Sequence, residues 1–170
     1  MSKPSSGLFE NTKGAVKSES KGESRLPSKK KMTNDVKVWA KNEAENFSSK
    51  RQRDKFNTAT VVYDVKTGKE YYGRNHGIII DKAPKNKILF GDGKKKGILP
   101  EKSLNHYDVG NCAEVDAVNK ALNDGAKLKN IVMKTIHTTE KSFGNNKEAC
   151  ENCTATFKGK IKENYRGWKE

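Results

Sequence analysis

The chain has 170 residues and a formal net charge of +14 at pH 7, with 32% hydrophobic and 33% charged residues. This length allows one domain with a tail, and a mean hydropathy of −0.96 is too polar for one compact domain throughout. No run approaches the ~20 apolar residues of a membrane helix, and no secretory signal is recognisable at the N-terminus. The charge suits a polyanionic partner such as nucleic acid, although a basic solvated face gives the same balance.

The N-terminal part of the chain differs in composition from the rest. Residues 1–33 contain many serines, glycines and prolines, a Lys29–Lys31 run, and apolar residues without period. This composition predicts a disordered basic linker. The remaining residues, 34–170, are therefore predicted to form the domain.

The first half of that domain predicts a helix followed by strands. Residues 34–50 favour a short helix that opens at Asn34 or Asp35. Residues 58–65 alternate and are rich in β-branched side chains, so with the segment after the turn at 66–69 they predict a β-hairpin. Residues 77–99 hold two apolar triplets separated by proline and lysines, which favours a second short hairpin.

The second half predicts alternating helices and strands. Asn111 is the expected N-cap of a helix that Gly125 ends. Residues 128–135 have the pattern of a buried strand, and a further helix is expected from near Cys150 towards Ile161. The order of hairpin, helix, strand and helix predicts an α/β sandwich.

All of the cysteines belong to one constellation. Cys112 is followed two residues later by Glu114, and Cys150 and Cys153 form a Cys-x-x-Cys pair. An odd number of cysteines argues against a disulfide framework. Three thiolates supply soft ligands to Zn²⁺ and leave the fourth tetrahedral position open, as a catalytic zinc site requires. Both ligand groups are expected at helix starts, where thiolates are stabilised, and they require a reducing compartment.

Three segments carry a family resemblance: GNCAEVDAVNKALNDGA, IHTTEKSFG and EACENCTATFKGKI. They resemble the YwqJ-like deaminases of bacterial polymorphic toxins, which belong to the zinc-dependent cytidine deaminase-like superfamily. The resemblance covers residues 57–168. It implies a three-layer sandwich, a small sheet with two zinc-ligand helices. It also implies a hydrolase of amidine C–N bonds that acts on cytosine or adenine in nucleic acid or nucleotide, with Zn²⁺ on the three cysteines and Glu114 as general acid/base. Ala149 stands where members of the superfamily usually have proline. The chain ends 17 residues after Cys153, so the strands after the second ligand helix are expected to be short or missing.

The resemblance also implies a biological setting. The chain is expected to be an effector region, secreted as part of a larger bacterial toxin, that acts in the cytoplasm of a target cell and is bound by a cognate immunity protein. Arg74, Asn75, His76 and His137 are candidates for contacts with substrate. The same residues also fit a polar strand end and a core histidine.

Other interpretations stay open from sequence alone. Asn111 and Glu114 have the spacing of a capping box, in which the carboxylate only binds backbone N–H groups. The Cys-x-x-Cys pair also fits a redox pair or a structural zinc knuckle completed by His76, His106 or His137. A nuclease of the toxin class would use those histidines as acid and base. A non-enzymatic nucleic-acid-binding module with structural zinc is a further alternative.

Overall fold

One four-stranded sheet organises the fold in the computed structural model, which describes residues 26–165 and 167–169. The predicted first hairpin is confirmed, since its two strands pair antiparallel around a turn in which Gly68 has a φ of 79°. The strands are β1 (Thr58–Asp64), β2 (Glu70–Arg74), β3 (Ile131–His137) and β4 (Glu163–Asn164), in the order β2-β1-β3-β4. β3 is antiparallel to β1 and parallel to β4.

Helices flank this sheet. They are α1 (Lys29–Glu45), α2 (Lys50–Asp54), α3 (Gly77–Asp81), α4 (Lys87–Phe90), α5 (Ala113–Asn123) and α6 (Glu151–Phe157). Short 3-10 turns at Leu128–Asn130 and Glu140–Ser142 flank β3. None of the helices in the described part of the chain is long and apolar enough to cross a membrane.

Alternation along the strands sends apolar side chains to both faces of the sheet. Val61 and Val132 belong to one buried cluster with the α1 residues, whereas Val62 and Met133 belong to a second cluster with residues of α5 and α6. The sheet therefore lies between α1 on one side and α5 with α6 on the other. The result is a mixed α/β fold in which both cysteine-bearing helices share one face.

The first helix begins earlier than predicted. α1 opens at Lys29, where Ser28 Oγ accepts a hydrogen bond from the Lys31 N–H at 3.0 Å. Met32 is fully buried in the cluster under α1. The boundary at residue 33 and the helix start at Asn34 or Asp35 are therefore corrected to Lys29, because a cap and one buried methionine extend the helix by a turn. Residues 1–25 of the expected linker lie outside the described residues.

The segment 77–99 is not the second hairpin that its apolar triplets suggested. The triplets lie in the short helices α3 and α4. Asn86 Oδ1 accepts from the Ile88 N–H at 2.9 Å and caps α4. The Asn119 amide donates to the Pro84 carbonyl at 2.9 Å and attaches the segment to α5. These local side-chain bonds favour helical turns over a strand pair.

The second half of the chain follows the prediction closely. α5 ends before Gly125, whose φ of 99° suits the residue after a helix. The expected strand is β3, shifted to start at Ile131. α6 ends at Phe157 rather than towards Ile161, and β4 has only two residues.

Candidate metal centre and adjoining cavity

The three cysteines meet where α5 and α6 begin. Cys112 is the N-cap of α5, Cys150 is the N-cap of α6, and Cys153 lies in its first turn. Because both helices start on the same face of the sheet, the three sulfur atoms all lie within 4.8 Å of one another. The sulfurs of Cys112 and Cys150 are 3.6 Å apart. This cluster could bind a metal ion.

The donor set of this cluster suits a soft cation. Two thiolates on a tetrahedral zinc, each at a Zn–S distance of about 2.3 Å, lie about 3.8 Å apart, close to the 3.6 Å seen for Cys112 and Cys150. No histidine nitrogen in the described residues joins the group. The arrangement thus offers three thiolates without the histidine that a closed Cys₃His site needs.

The thiol groups of the cluster differ in pKa. Hydrogen bonds with Cys112 and Cys153 lower the pKa of Cys150, and the N–H groups of Asn152 and Cys153 act in the same direction. The same thiol contacts, together with complete burial, raise the pKa of Cys153. Cys150 therefore loses its proton more readily than Cys153. A cation that binds all three sulfurs must displace the remaining thiol protons.

Glu114 lies beside the cluster at the second position of α5. The helix N-cap is Cys112 and not Asn111, so the predicted N-cap is wrong by one residue. A capping box places its carboxylate at the third helical position, and Glu114 does not meet that spacing. Its side chain is only 4% exposed.

A pair of threonines on the sheet contacts this carboxylate. The Thr135 hydroxyl donates to Glu114 Oε2 at 3.4 Å, and the hydroxyls of Thr60 and Thr135 are 2.7 Å apart. A hydroxyl has a single proton. If Thr135 donates it to Glu114, Thr60 must donate in the bond between the threonines. Neighbouring strands thus fix the orientation of the carboxylate.

A cavity of about 350 Å³ opens next to the cluster. Cys112, Cys150 and Glu114 line it together, so the candidate ligands and the buried carboxylate face one space. The other lining residues are Asn57, Thr58, Asn75, His76, His106, Tyr107, Asp108, Asn111, Ala113, Lys147 and Glu148.

Two of the four predicted substrate residues line this cavity. Asn75 is buried, and its Oδ1 accepts from the N–H groups of Asn57 and Thr58 at 3.1 and 3.2 Å, so it fixes the start of β1 at the cavity wall. His76 is exposed and adopts a φ of 63°. This left-handed conformation is uncommon for a residue other than glycine.

The other two predicted residues are not among those that line the cavity. The Arg74 guanidinium packs over the rings of Phe47 and Phe56, with centroids 4.6 and 5.0 Å from its carbon. His137 ends β3, where its backbone N–H donates to the Asn145 carbonyl at 2.9 Å. Arg74 therefore contacts aromatic side chains of the domain, and His137 terminates a strand of the sheet.

Lys147 is a cavity residue that the sequence did not single out. Its ammonium donates to Thr58 Oγ1, and the side chain is half-buried. Burial lowers the pKa of Lys147, and the thiolates of the three cysteines oppose that shift. The thiolates thus favour the charged form of Lys147 beside the cluster. The only sequence signal was its position three residues before Cys150.

Comparison with protein-family models, with curated proteins and with solved structures finds no match to this chain. Fold and site define a mixed α/β protein with a four-stranded sheet and a three-cysteine cluster suited to a metal ion.

Proposed function

We propose that this protein is a zinc-dependent hydrolytic deaminase of nucleobases. The observation that carries the proposal is the shared cavity: Cys112 and Cys150 of the thiolate cluster and the buried carboxylate of Glu114 line the same space. A structural zinc knuckle does not require a buried acid at its side.

Zinc is the metal that the donor set favours. Three sulfur ligands suit this cation, and a tetrahedral zinc held by them would have one position left for water. Zinc, when bound there, lowers the pKa of a water molecule to about 7 and so supplies a nucleophile at neutral pH. The positive charge of Lys147 on the same cavity offsets part of the charge of the thiolates.

Glu114 is the group that moves protons. Water adds to the ring carbon that carries the exocyclic amino group, C4 of cytosine or C6 of adenine. The Glu114 carboxylate accepts a proton from that water and returns it to the ring nitrogen. It then takes the remaining hydroxyl proton to the amine as the C–N bond breaks. Ammonia leaves and a carbonyl remains, so one water is consumed for each ammonia released.

The architecture supports the same proposal. A cytidine deaminase-like sandwich places both ligand helices on one face of its sheet, and α5 and α6 lie on one face of this sheet. The resemblance to YwqJ-like deaminases adds the remaining parts of the proposal. These are a role as the effector region of a secreted bacterial toxin, action in the cytoplasm of a target cell, and binding by a cognate immunity protein.

The Glu114→Gln variant tests the proposal. Glutamine keeps the size of the side chain and still accepts from Thr135, so thermal stability and zinc content should match the parent. Ammonia release from cytosine or adenine substrates should fall by on the order of 10²–10⁴-fold. Glu140→Gln, at an exposed carboxylate of the 3-10 turn, is the matched control and should keep the parental rate.

The same experiment separates the competing functions. Near-parental ammonia release by Glu114→Gln would show that the carboxylate has only a structural role. His76 and His106 also line the cavity, so a nuclease remains the second candidate. RNA cleavage without ammonia release, equal in parent and variant, would establish that alternative.

A further inference from the structure

An aromatic pair lies at the mouth of the cavity. Tyr107 is 59% exposed, and it is the only aromatic among the exposed large hydrophobic side chains of the described residues. The ring of His106 lies against it, with centroids 4.0 Å apart and planes inclined by 38°. Both residues line the cavity. Exposing a large ring to water has a free-energy cost that packing reduces for the other aromatic side chains of the described residues.

The loop that carries this pair is fixed to the second ligand helix. Asn152, between the two cysteines of the Cys-x-x-Cys motif, is buried and accepts from the Leu104 N–H at 2.8 Å. Its amide donates to Ser103 Oγ at 3.0 Å. The Asn105 amide donates to Glu151 Oε1 at 3.0 Å. The motif that supplies two metal ligands therefore also holds the aromatic loop, which makes the pair a preorganised surface.

The Tyr107 ring and the Glu114 carboxylate differ in how far they are exposed to solvent. Glu114 is 4% exposed inside the cavity, whereas Tyr107 is 59% exposed at its rim. We expect a base whose amino group reaches Glu114 to occupy the interior and to leave the exposed rings of His106 and Tyr107 available for a second contact. A free nucleoside has no second base to cover them. A single strand presents a neighbouring base beside the target, and every base has a face that stacks on an aromatic ring.

On the basis of the proposed deaminase function, we propose that His106 and Tyr107 form a stacking platform for the base next to the target base. The substrate class is therefore single-stranded nucleic acid, not a free nucleoside or nucleotide. The net charge of +14 adds attraction for the phosphates of such a strand. A single strand also exposes its bases without the cost of leaving a duplex.

The test compares Tyr107→Ala, Tyr107→Phe and Leu104→Ala. Leu104 is 57% exposed in the same loop but does not line the cavity, so it is the matched control. Ammonia release is measured on short single-stranded DNA and RNA of one mixed sequence, and on free cytidine and adenosine. Tyr107→Ala should raise KM for the preferred oligonucleotide by on the order of 10-fold or more, a larger effect than on the nucleoside reaction. Tyr107→Phe and Leu104→Ala should behave like the parent, and all variants should keep their zinc.

A binding measurement keeps the platform and the deaminase function distinguishable. Fluorescence anisotropy with labelled versions of the same DNA and RNA reports affinity without chemistry. Strand binding that Tyr107→Ala weakens, with no ammonia from any substrate, would retain the platform and reject the deaminase. Efficient reaction of nucleosides with no dependence on Tyr107 would reject the platform alone. Equal losses on nucleoside and strand would show that the ring contacts the target base, which also overturns the proposal. Absence of both binding and ammonia rejects both.

Discussion

Thr135 Oγ1 on the central strand pair lies 3.4 Å from Glu114 Oε2 on α5, and so joins the sheet to the carboxylate beside the cysteine cluster. The register makes this contact possible, because Thr60 and Thr135 are direct partners across β1 and β3 and both are fully buried. The two hydroxyls lie on the face of the sheet that carries α5.

Thr135→Val should therefore misorient the carboxylate. Valine has nearly the same shape but cannot donate, and a hydrogen bond to a charged group is worth about 1.5–3 kcal/mol. We expect deamination to fall by about 10-fold or more, with zinc content unchanged. A modest loss of stability should accompany it because Thr60 loses its partner. Thr139→Val, at an exposed position, is the control; equal rates for both variants would refute the orienting role.

The proposed zinc site predicts one zinc ion per chain. Cys150→Ser should abolish stoichiometric zinc because a weak hydroxyl ligand replaces one of the three thiolates. Cys153 is 1% exposed within the core, so Cys153→Ser should lose both metal and thermal stability. Metal analysis and thermal unfolding of the purified proteins check this. Full zinc occupancy in Cys150→Ser would contradict the assignment.

Lys147 should strengthen zinc binding. Its ammonium favours the thiolates over the neutral thiols, so Lys147→Met should weaken zinc affinity, most strongly at low pH, where protons compete with the metal for the sulfurs. Lys147→Arg keeps the charge and should stay close to the parent. Competition with a chelator measures the affinities, with Lys141→Met at an exposed lysine as the control. Equal zinc affinity in Lys147→Met and the parent would remove this role.

The sequence predicted much of the candidate site because its information is local. Cys112 and the Cys150–Cys153 pair lie at the starts of helices. The neighbouring turn residues and the spacing of apolar residues indicate these starts, and Gly125 ends α5 as expected. The three sulfurs converge because the two helices share one face of the sheet.

The features that escaped prediction depend on contacts between distant segments. Thr135 contacts Glu114 from another element, and Asn152 holds a loop 48 residues away through Leu104. The side-chain amide of Asn119 likewise donates to the Pro84 carbonyl and fixes the segment that leads into helix α4, where the sequence suggested a strand. Single-sequence patterns do not contain such pairings.

Truncation distinguishes the tail from the domain. Deleting residues 1–25 should leave stability and zinc content nearly unchanged, because the sequence there lacks apolar period. Deleting residues 1–33 removes Met32, which is fully buried, and the Ser28 cap of α1. That deletion should cost several kcal/mol, since loss of a buried methionine side chain alone costs about 2–5 kcal/mol. Thermal unfolding of the two truncated proteins measures the difference in stability. Equal stability of the two would support a domain boundary at residue 33.

Glu70 should make the stability of the domain depend on pH. Burial, together with the hydrogen bond and charge of Asp35, raises the pKa of Glu70 to about 7 from 4.5, while Lys31 and Tyr72 act in the opposite direction. Between these two values the folded state binds the proton more tightly than the unfolded state, so unfolding free energy decreases as pH rises from about 4.5 to 7. Above pH 7 the charged carboxylate remains destabilising.

Glu70→Gln should remove this effect, because glutamine stays neutral and its oxygen still accepts from the Tyr72 hydroxyl that lies 2.7 Å from Glu70 Oε1. We expect the variant to be more stable than the parent at pH 8, by on the order of 1–3 kcal/mol, and similar to it at pH 4.5. Denaturant unfolding at both pH values measures the difference. Glu45→Gln, at an exposed carboxylate near the end of α1, should show no such pH dependence. A Glu70→Gln variant that is less stable than the parent at pH 8 would mean that the ion pair with Lys31 outweighs the cost of burying the charge.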